Sequence, residues 1–318
     1  MNCRGNSVTP SLLNSKLRWG LILILCFLNR CVIAQTDSLA IKPNRKTITV
    51  ASLGGLYVGS MSGLYTLWYK DYPQTKFHFI NDNSEWLKMD KAGHVFSAYV
   101  EGKYGISMLK WAGYSDRKAA IYGPLYSLVY QTTIELFDGF SSGWGASGGD
   151  IFANCIGAGL VSGQALKWNE QRVTLKFSYS PTPFASTRPE IFGATPIQSI
   201  FKDYNGQTYW LCISPKLFAP KSKWPAWLDI SLGYGVTGLY GGDDNIWLSK
   251  DPNPNFKDFS STPRRMQFYL SPDINIEKLK IKKKWLKTTV KILNTFKFPL
   301  PALNYTTGAG LKFDPIKF

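Results

Sequence analysis

The chain has 318 residues, of which 44% are hydrophobic, 15% aromatic and 18% charged. This composition excludes an intrinsically disordered protein, and the length allows more than one buried core. Lysine and arginine number 37 against 21 acidic residues, which gives a formal net charge of +16. A basic excess of this size is typical of proteins that bind phosphate groups on nucleic acid or on lipid.

The amino terminus predicts export. Basic residues precede an apolar run, and Val32-Ile33-Ala34 has the small-residue spacing of a signal-peptidase site. We expect residues 1–34 to be a signal peptide and residues 35–46 a linker. Arg30 stands where a lipoprotein signal has a small residue, which disfavours a lipid anchor on Cys31. An exported chain without a nucleic-acid-binding motif indicates that nucleic acid is not a partner.

A helical domain is predicted over residues 47–168. Its first segment, Thr47–Tyr69, carries no charged residue and places small residues at every fourth position: Ala51, Gly55, Gly59 and Gly63. Small residues at this period let another helix approach closely. The segment is long enough to cross a bilayer, and a central helix of a soluble bundle is the alternative. Three further helices are predicted at about 85–111, 118–137 and 150–168, which makes about four close-packed apolar helices.

Residues 169–318 are predicted to be β-rich. Short aromatic or β-branched segments alternate with turn-rich ones, and they predict strands at 174–178, 209–213, 227–235, 266–270 and 310–318. The last strand ends on Phe318 and resembles the terminal strand of outer-membrane proteins, whereas an ordinary soluble sheet is the alternative. The chain as a whole is therefore predicted to be α+β, with an antiparallel β-rich region after the helical bundle.

A basic amphipathic helix is predicted at about 278–297. This segment holds eight lysines and no acidic residue, with apolar residues at helical spacing. Such a helix suits an anionic membrane lipid surface, although a solvated lysine face is the alternative. The candidate membrane-surface residues are Lys282, Lys283, Lys284, Trp285 and Lys287. We expect a protein on the periplasmic side of the envelope, associated with the outer membrane, with another envelope protein as a further candidate partner.

Polar residues are paired on three of the predicted helices. The pairs are three or four positions apart, so that each shares one helix face: Asp90 and His94, Glu135 and Asp138, and Asp150 and Asn154. Such groups are costly on apolar helices unless they meet one another, a ligand or a metal. We therefore expect the three pairs to converge.

Three interpretations of this cluster remain open. A divalent cation is a candidate cofactor, because imidazole and carboxylates are ligands for Zn, Mn and Fe. As a candidate catalytic group, His94 would act with Asp90 or Glu135 as a general acid or base on a phosphorylated lipid or cell-wall precursor. A buried network that only fixes helix register is the third. No standard catalytic motif decides whether the chain is an enzyme.

A second set of residues forms a candidate ligand-binding group: Lys91, Ser142, Ser147 and Asn154. The glycine-rich loop 141–149 leads into the predicted helix at Asp150, where backbone N–H groups could bind a phosphate together with Lys91. Ser147, three residues before Asp150, also predicts an ordinary helix cap.

The polar residues resemble a known family. Asp90-Lys91-Ala92-Gly93-His94, Glu135 with Asp138, Ser142-Gly143-Trp144 and Ser147 with Asp150 and Asn154 occur in the order seen in YfiM-like predicted periplasmic lipoproteins. VanZ-like membrane proteins are more distantly similar. The resemblance covers about 87–163 and implies a helical fold and an envelope location, but the family is a domain of unknown function and implies no reaction. The poor lipoprotein signal and the β-rich extension depart from the YfiM-like pattern.

Overall fold

The computed structural model describes residues 44–248 and 255–318, and these form the predicted α+β fold. The predicted signal peptide and residues 35–43 of the predicted linker lie outside the described residues. The long helices are α1 (Asn44–Leu64), α2 (Met89–Trp111), α3 (Asp116–Gly139) and α4 (Gly148–Trp168). Within residues 44–248 and 255–318, no helix has the length and apolarity that crossing a membrane requires.

Serine caps begin two of the long helices. Ser115 Oγ accepts a hydrogen bond of 3.4 Å from Lys118 N at the start of α3. Ser147 Oγ accepts one of 3.2 Å from Asp150 N at the start of α4. Each bond satisfies a backbone N–H that the helix itself leaves unpaired. The capping role predicted for Ser147 is therefore confirmed.

The start of α2 is set by contacts with the β-rich half. The helix predicted from residue 85 is interrupted by three residues in the left-handed region, Trp86, Leu87 and Lys88, whose φ angles are 49°, 50° and 64°. Residues other than glycine adopt this backbone conformation at an energetic cost. Trp86 N donates a 2.8 Å hydrogen bond to Gly242 O, and Tyr234 OH donates one to Leu87 O. These bonds hold the turn from which Asp90 and His94 project.

Helices α2, α3 and α4 approach one another at glycines. A Cβ placed on Gly157 would lie 2.2 Å from Val95 O, and one on Gly123 would lie 2.4 Å from Ile106 N. The backbones can therefore touch only because these positions lack a side chain. The core between the three helices contains apolar residues from each of them and is extended by Leu175 of the sheet.

The glycine repeat of α1 does not make such a contact. Within residues 44–248 and 255–318, no atom lies within 4 Å of a Cβ placed on Gly55, Gly59 or Gly63. The prediction that this repeat brings a second helix into close contact is therefore wrong. The reason is that α1 packs through its other side, where Tyr126 OH donates a 3.1 Å hydrogen bond to Leu53 O.

The β-rich half contains one six-stranded antiparallel sheet. The chain also forms a parallel pair of two-residue strands, β1 (Phe79–Ile80) and β2 (Ala146–Ser147), and a small hairpin, β6 (Ile246–Leu248) and β7 (Phe256–Asp258). The sheet strands are β3 (Val173–Tyr179), β4 (Gln207–Ile213), β5 (Leu228–Thr237), β8 (Arg265–Ile274), β9 (Leu300–Thr306) and β10 (Gly310–Lys317), in the spatial order β10-β9-β8-β5-β4-β3. The five predicted strands are confirmed, and β9 was not predicted. Short helices lie between the strands: α5 (Phe184–Thr187), α6 (Pro189–Phe192), α7 (Pro196–Lys202) and α8 (Pro215–Phe218).

The two faces of the sheet have opposite character. One face is buried and carries many polar side chains around a small apolar cluster that includes Trp210 and Tyr269. On this face Lys176 Nζ lies 2.6 Å from Asp273 Oδ2, and both side chains are almost fully covered. The other face carries a row of apolar residues, directly opposite one another on five adjacent strands and 36 to 58% exposed: Leu211, Leu232, Leu270, Leu303 and Phe313. Ser180, next to the end of β3, donates a 3.3 Å hydrogen bond from its Oγ to Phe318 O, next to the end of β10. A sheet in water has the reverse arrangement, with its apolar face buried.

The basic helix is present but shorter than predicted. It is α9 (Lys284–Leu293), and it ends where the buried Asn294 side chain accepts a 2.9 Å hydrogen bond from Lys176 Nζ. That bond fixes Asn294 to the sheet and prevents the helix from continuing to residue 297. Four of the five predicted membrane-surface residues are exposed, namely Lys282, Lys283, Trp285 and Lys287. The side chain of Lys284 lies outside what the structure describes.

Candidate functional site

The three predicted polar pairs converge at one end of the helical bundle. Asp90 and His94 lie in the first turns of α2, Glu135 near the end of α3, and Asp150 and Asn154 in the first turns of α4. The antiparallel order of the helices brings these ends together. The predicted buried cluster of Asp, His and Glu residues is therefore confirmed.

His94 is at the centre of the cluster. Its Nδ1 lies 3.1 Å from Asn154 Oδ1, and its Nε2 lies 3.7 Å from Asp150 Oδ1 and 3.9 Å from Asp90 Oδ1. Because Asn154 Oδ1 can only accept, Nδ1 carries the hydrogen, and a neutral ring then directs its Nε2 lone pair towards the two carboxylates. An oxygen that accepts a hydrogen bond from the other ring nitrogen and fixes the ring in this way is common beside metal-binding histidines.

The pKa of His94 is raised by its neighbours. Burial alone would lower it, but the negative charges of Asp90, Asp150 and Glu135 outweigh the burial. Burial also raises the pKa of Glu135. Burial, aided by the charge of Asp90, raises the pKa of Asp150 to about 7. The cluster thus takes up protons to limit the repulsion among its carboxylates.

Lys91 neutralises part of this negative charge. Its Nζ lies 2.7 Å from Asp82 Oδ1, 2.9 Å from Asp150 Oδ1 and 3.4 Å from Asp90 Oδ2. These ion pairs hold the pKa of Asp82 below its ordinary value against the effect of burial. A lysine engaged by three carboxylates is poorly placed to bind a phosphate, because the phosphate would meet the same carboxylates.

Other predicted residues lie at the edge of the cluster or outside it. Ser147 N donates a 2.9 Å hydrogen bond to Glu135 Oε2, and Ser147 Oγ donates one of 2.5 Å to Asp82 Oδ1. Asp138 accepts a 2.8 Å hydrogen bond from Tyr69 OH, and burial raises its pKa to about 7. Ser142 is exposed, and its backbone N–H donates to Pro73 O.

Three contributors were missed by the sequence analysis. Asp82 comes from the loop before α2, Tyr69 from the π-helical turn Tyr65–Tyr69 that follows α1, and Tyr204 from the connection between α7 and β4. Tyr204 OH donates a 2.8 Å hydrogen bond to Asp90 Oδ1. None of these positions belongs to a helical pair, and only the fold reveals that they reach the cluster.

Three side chains of the cluster have the composition and spacing of a metal site. One ligand atom each from Asp90, His94 and Asp150 lies within 4.8 Å of the other two. Two ligand atoms bound tetrahedrally to one ion at about 2.1 Å are separated by about 3.4 Å. The Nε2–oxygen distances of 3.7 and 3.9 Å are too long for hydrogen bonds and close to this separation.

Two carboxylate oxygens of the acidic cluster remain without a hydrogen bond. Among the described residues, Glu135 Oε1 and Asp150 Oδ1 are buried and accept none, although Asp150 Oδ1 is ion-paired with Lys91. The side chains of the three metal-binding candidates are 6 to 26% exposed, with Asp90 the most accessible. The arrangement therefore suits the binding of a small cation better than the turnover of a large substrate.

Comparison with known proteins places the cluster in a family context. No curated protein and no solved structure matches the chain. Residues 78–163 match the model of a family described as "Predicted periplasmic lipoprotein (DUF2279)". The matched segment contains α2, α3 and most of α4 and ends before the sheet. Over these helices, the chain is thus similar to a family of predicted periplasmic lipoproteins whose function is unknown.

Proposed function

We propose that the chain is a membrane-associated binding module of the cell envelope, whose helical part holds a divalent cation between Asp90, His94 and Asp150. One observation carries the proposal: two carboxylates from different helices face the Nε2 of a histidine whose Nδ1 is fixed by Asn154. Imidazole with two carboxylates is a ligand set suited to Zn²⁺ or Mn²⁺.

The charge balance of the cluster supports a cation. The cluster has five carboxyl groups, and Lys91 is its one permanent cation, since His94 would bind the ion as a neutral imidazole. The carboxyl groups belong to Asp82, Asp90, Glu135, Asp138 and Asp150. A divalent ion would supply the positive charge that the cluster lacks. It would also connect α2 to α4 next to the point where Tyr204 attaches the sheet.

Isothermal titration with Zn²⁺ and with Mn²⁺ tests this proposal. We expect the full chain to bind one ion, and His94→Gln to weaken the binding at least about tenfold, because one of three protein ligands is lost. His78→Gln is the matched control, since His78 is only partly buried and contacts Thr75 and Lys76 rather than the acidic cluster. Lys91→Met should bind at least as tightly as the unchanged chain, because an ammonium competes with the ion. Equal binding by the His94 and His78 variants would contradict the proposal.

The sheet and the basic helix support contact with a lipid surface. The exposed row from Leu211 to Phe313 continues on the same face with Phe268, Tyr305 and Leu311. Apolar patches of this extent on a protein surface are typical of membrane or protein contact sites. We propose an anionic lipid surface as the partner, because α9 adds exposed lysines and Trp285.

The compartment and the finer family assignment belong to the same proposal. The family description names periplasmic lipoproteins, and this supports a location on the periplasmic side of the envelope. The order of the Asp90–His94, Glu135–Asp138 and Asp150–Asn154 pairs supports a YfiM-like assignment with distant similarity to VanZ-like proteins. Outer-membrane association is proposed from the exposed sheet face and would be tested by fractionation of the two membranes.

A further inference from the structure

A cavity lies between α1, α2, α3 and α9, away from the acidic cluster. Its volume is about 410 Å³, within the range of small-molecule sites. Apolar and aromatic side chains form much of its wall, including Leu53, Leu56, Met108 and Tyr130. The nearest residue of α2 in its wall, Glu101, is seven positions from His94, about 10 Å along the helix. The cavity is therefore separate from the acidic cluster.

Three buried polar atoms in the wall of this cavity have no hydrogen-bond partner among the described residues. They are Thr49 Oγ1, Glu101 Oε2 and Trp111 Nε1. Thr49 is only 1% exposed. Buried polar groups in folded proteins are normally paired, and an unpaired one is costly. Three such atoms around one cavity indicate that a ligand with polar oxygens completes it.

The chemistry of these atoms selects acceptor oxygens. Trp111 Nε1 can only donate, and the Thr49 hydroxyl can donate. Glu101 Oε1 already accepts a 2.9 Å hydrogen bond from Gln131 Nε2. Burial raises the pKa of Glu101 to about 8, so that Oε2 carries a proton at neutral pH and is a third donor.

The cavity is elongated and basic at one end. Glu101 and Trp111 lie ten positions apart on α2, about 15 Å by helical rise. At the Trp111 end, the guanidinium of Arg45 lies 5.5 Å from the Trp111 ring centre, and Lys46 Nζ lies 5.6 Å from the Tyr114 ring centre. Lys291 of α9 is exposed and lines the same cavity. A long apolar space with cationic groups near its Trp111 end matches an anionic molecule with one hydrocarbon chain.

We propose that this cavity binds the acyl chain of an anionic amphipathic lipid, with the headgroup at the Trp111 end. The oxygens next to the chain would accept hydrogen bonds from Trp111 and Thr49. The Glu101 carboxyl, about 15 Å away along α2, would lie beside the hydrocarbon chain in its neutral, protonated form. A free fatty acid and a monoacyl phospholipid share this chemistry. The inference is independent of the cation site, because no side chain is common to both.

Displacement of cis-parinaric acid, a fluorescent fatty acid, tests the inference on the full chain. We expect saturable binding that Leu56→Trp weakens about tenfold or more, because the larger side chain fills the cavity. Val58→Trp is the matched control, since Val58 is 64% exposed on the other side of α1. Trp111→Phe removes the N–H donor together with the five-membered ring but keeps an aromatic side chain, and we expect a several-fold loss of binding without a change in fold.

The competitor identifies the source of the lipid. Displacement by palmitate supports a free fatty acid, and displacement only by a sixteen-carbon lysophosphatidylglycerol supports a phospholipid. Equal binding by the unchanged chain, Leu56→Trp and Trp111→Phe would overturn the inference, since the probe would then bind elsewhere, for instance to the exposed sheet face. Binding that appears only after proteolysis before Asn44 would also overturn it, because the occupant would be the chain's own amino-terminal segment.

Discussion

Tyr204 OH donates a 2.8 Å hydrogen bond to Asp90 Oδ1, and so a residue of the β-rich half orients a carboxylate of the helical half. Asp90 lies directly after the left-handed turn that Tyr234 and Gly242 also hold. The polar cluster is thus built at the contact between the two halves of the chain. Changes in either half are expected to affect it.

Tyr204→Phe tests this connection. The substitution leaves Asp90 without its neutral donor, and hydrogen bonds to charged groups contribute about 1.5–3 kcal/mol. We expect the free energy of unfolding to fall by an amount in this range, measured by urea denaturation. Tyr305→Phe is the control, because Tyr305 is 50% exposed on the sheet. Equal stability of both variants would show that the contact with Asp90 is unimportant.

The same substitution at two glycines should have opposite effects. Gly157→Ala places a Cβ 2.2 Å from Val95 O, and we expect a loss of about 2 kcal/mol or more because the helices must separate. Gly59→Ala meets no atom of the described residues within 4 Å and should stabilise the chain by about 0.5–1 kcal/mol through helix propensity. Thermal unfolding measures both. Destabilisation by Gly59→Ala would indicate that α1 makes a close contact there after all.

The raised pKa of Glu101 predicts that the free energy of unfolding falls as the pH rises. Burial raises its pKa from an ordinary 4.5 to about 8, so the folded chain holds a proton that the unfolded chain releases. Between these two pH values, stability falls as pH rises, by up to about 1.4 kcal/mol for each pH unit. We expect Glu101→Gln to flatten this part of the stability profile, measured by urea denaturation from pH 5 to pH 8. The same slope in both proteins would show that Glu101 does not titrate with folding.

The proposed membrane contact predicts that vesicle binding depends on the lysines of α9 and of the segment just before it. In vesicle flotation, the combined change of Lys282, Lys283 and Lys287 to Glu should reduce binding to phosphatidylglycerol vesicles at least about tenfold, because each lysine near the surface contributes about 1 kcal/mol. Leu270→Lys with Leu303→Lys should reduce binding to neutral phosphatidylcholine vesicles as well, since both residues are on the exposed apolar face.

The control for flotation is an equal charge change elsewhere. Lys76, Lys118 and Lys221 are exposed and lie outside α9 and the sheet. Their combined change to Glu should leave vesicle binding within about twofold of the unchanged chain. An equal loss from both triple changes would indicate attraction by net charge alone. No flotation of the unchanged chain would favour a protein partner for the apolar face.

Helical spacing was sufficient to predict the central part of the site. Asp90 and His94 share a face because they are four residues apart. Burying such groups on apolar helices is costly unless they contact one another, a ligand or a metal, and this predicted their convergence. Asp150 with Asn154 follows the same rule. The α+β order was likewise readable from the change of period after Gln171.

The remaining contributors depend on tertiary contacts that spacing does not encode. Asp82 and Tyr204 lie in connections, and they reach the cluster only because the turn at Trp86 attaches the sheet to α2. Strand β9 was missed because Pro301 and Asn304 weaken its alternation, although the sheet accepts them by facing Asn304 inward. The repeat at Gly59 predicted a contact that depends on where α1 lies, which a small-residue pattern does not specify.

Anomalous diffraction from crystals grown with Zn²⁺ tests the central claim most directly. We predict one peak at the zinc absorption edge within about 2.3 Å of His94 Nε2 and of one oxygen each from Asp90 and Asp150. Absence of a peak between these three side chains, or a peak only at His78, would contradict the proposed cation site.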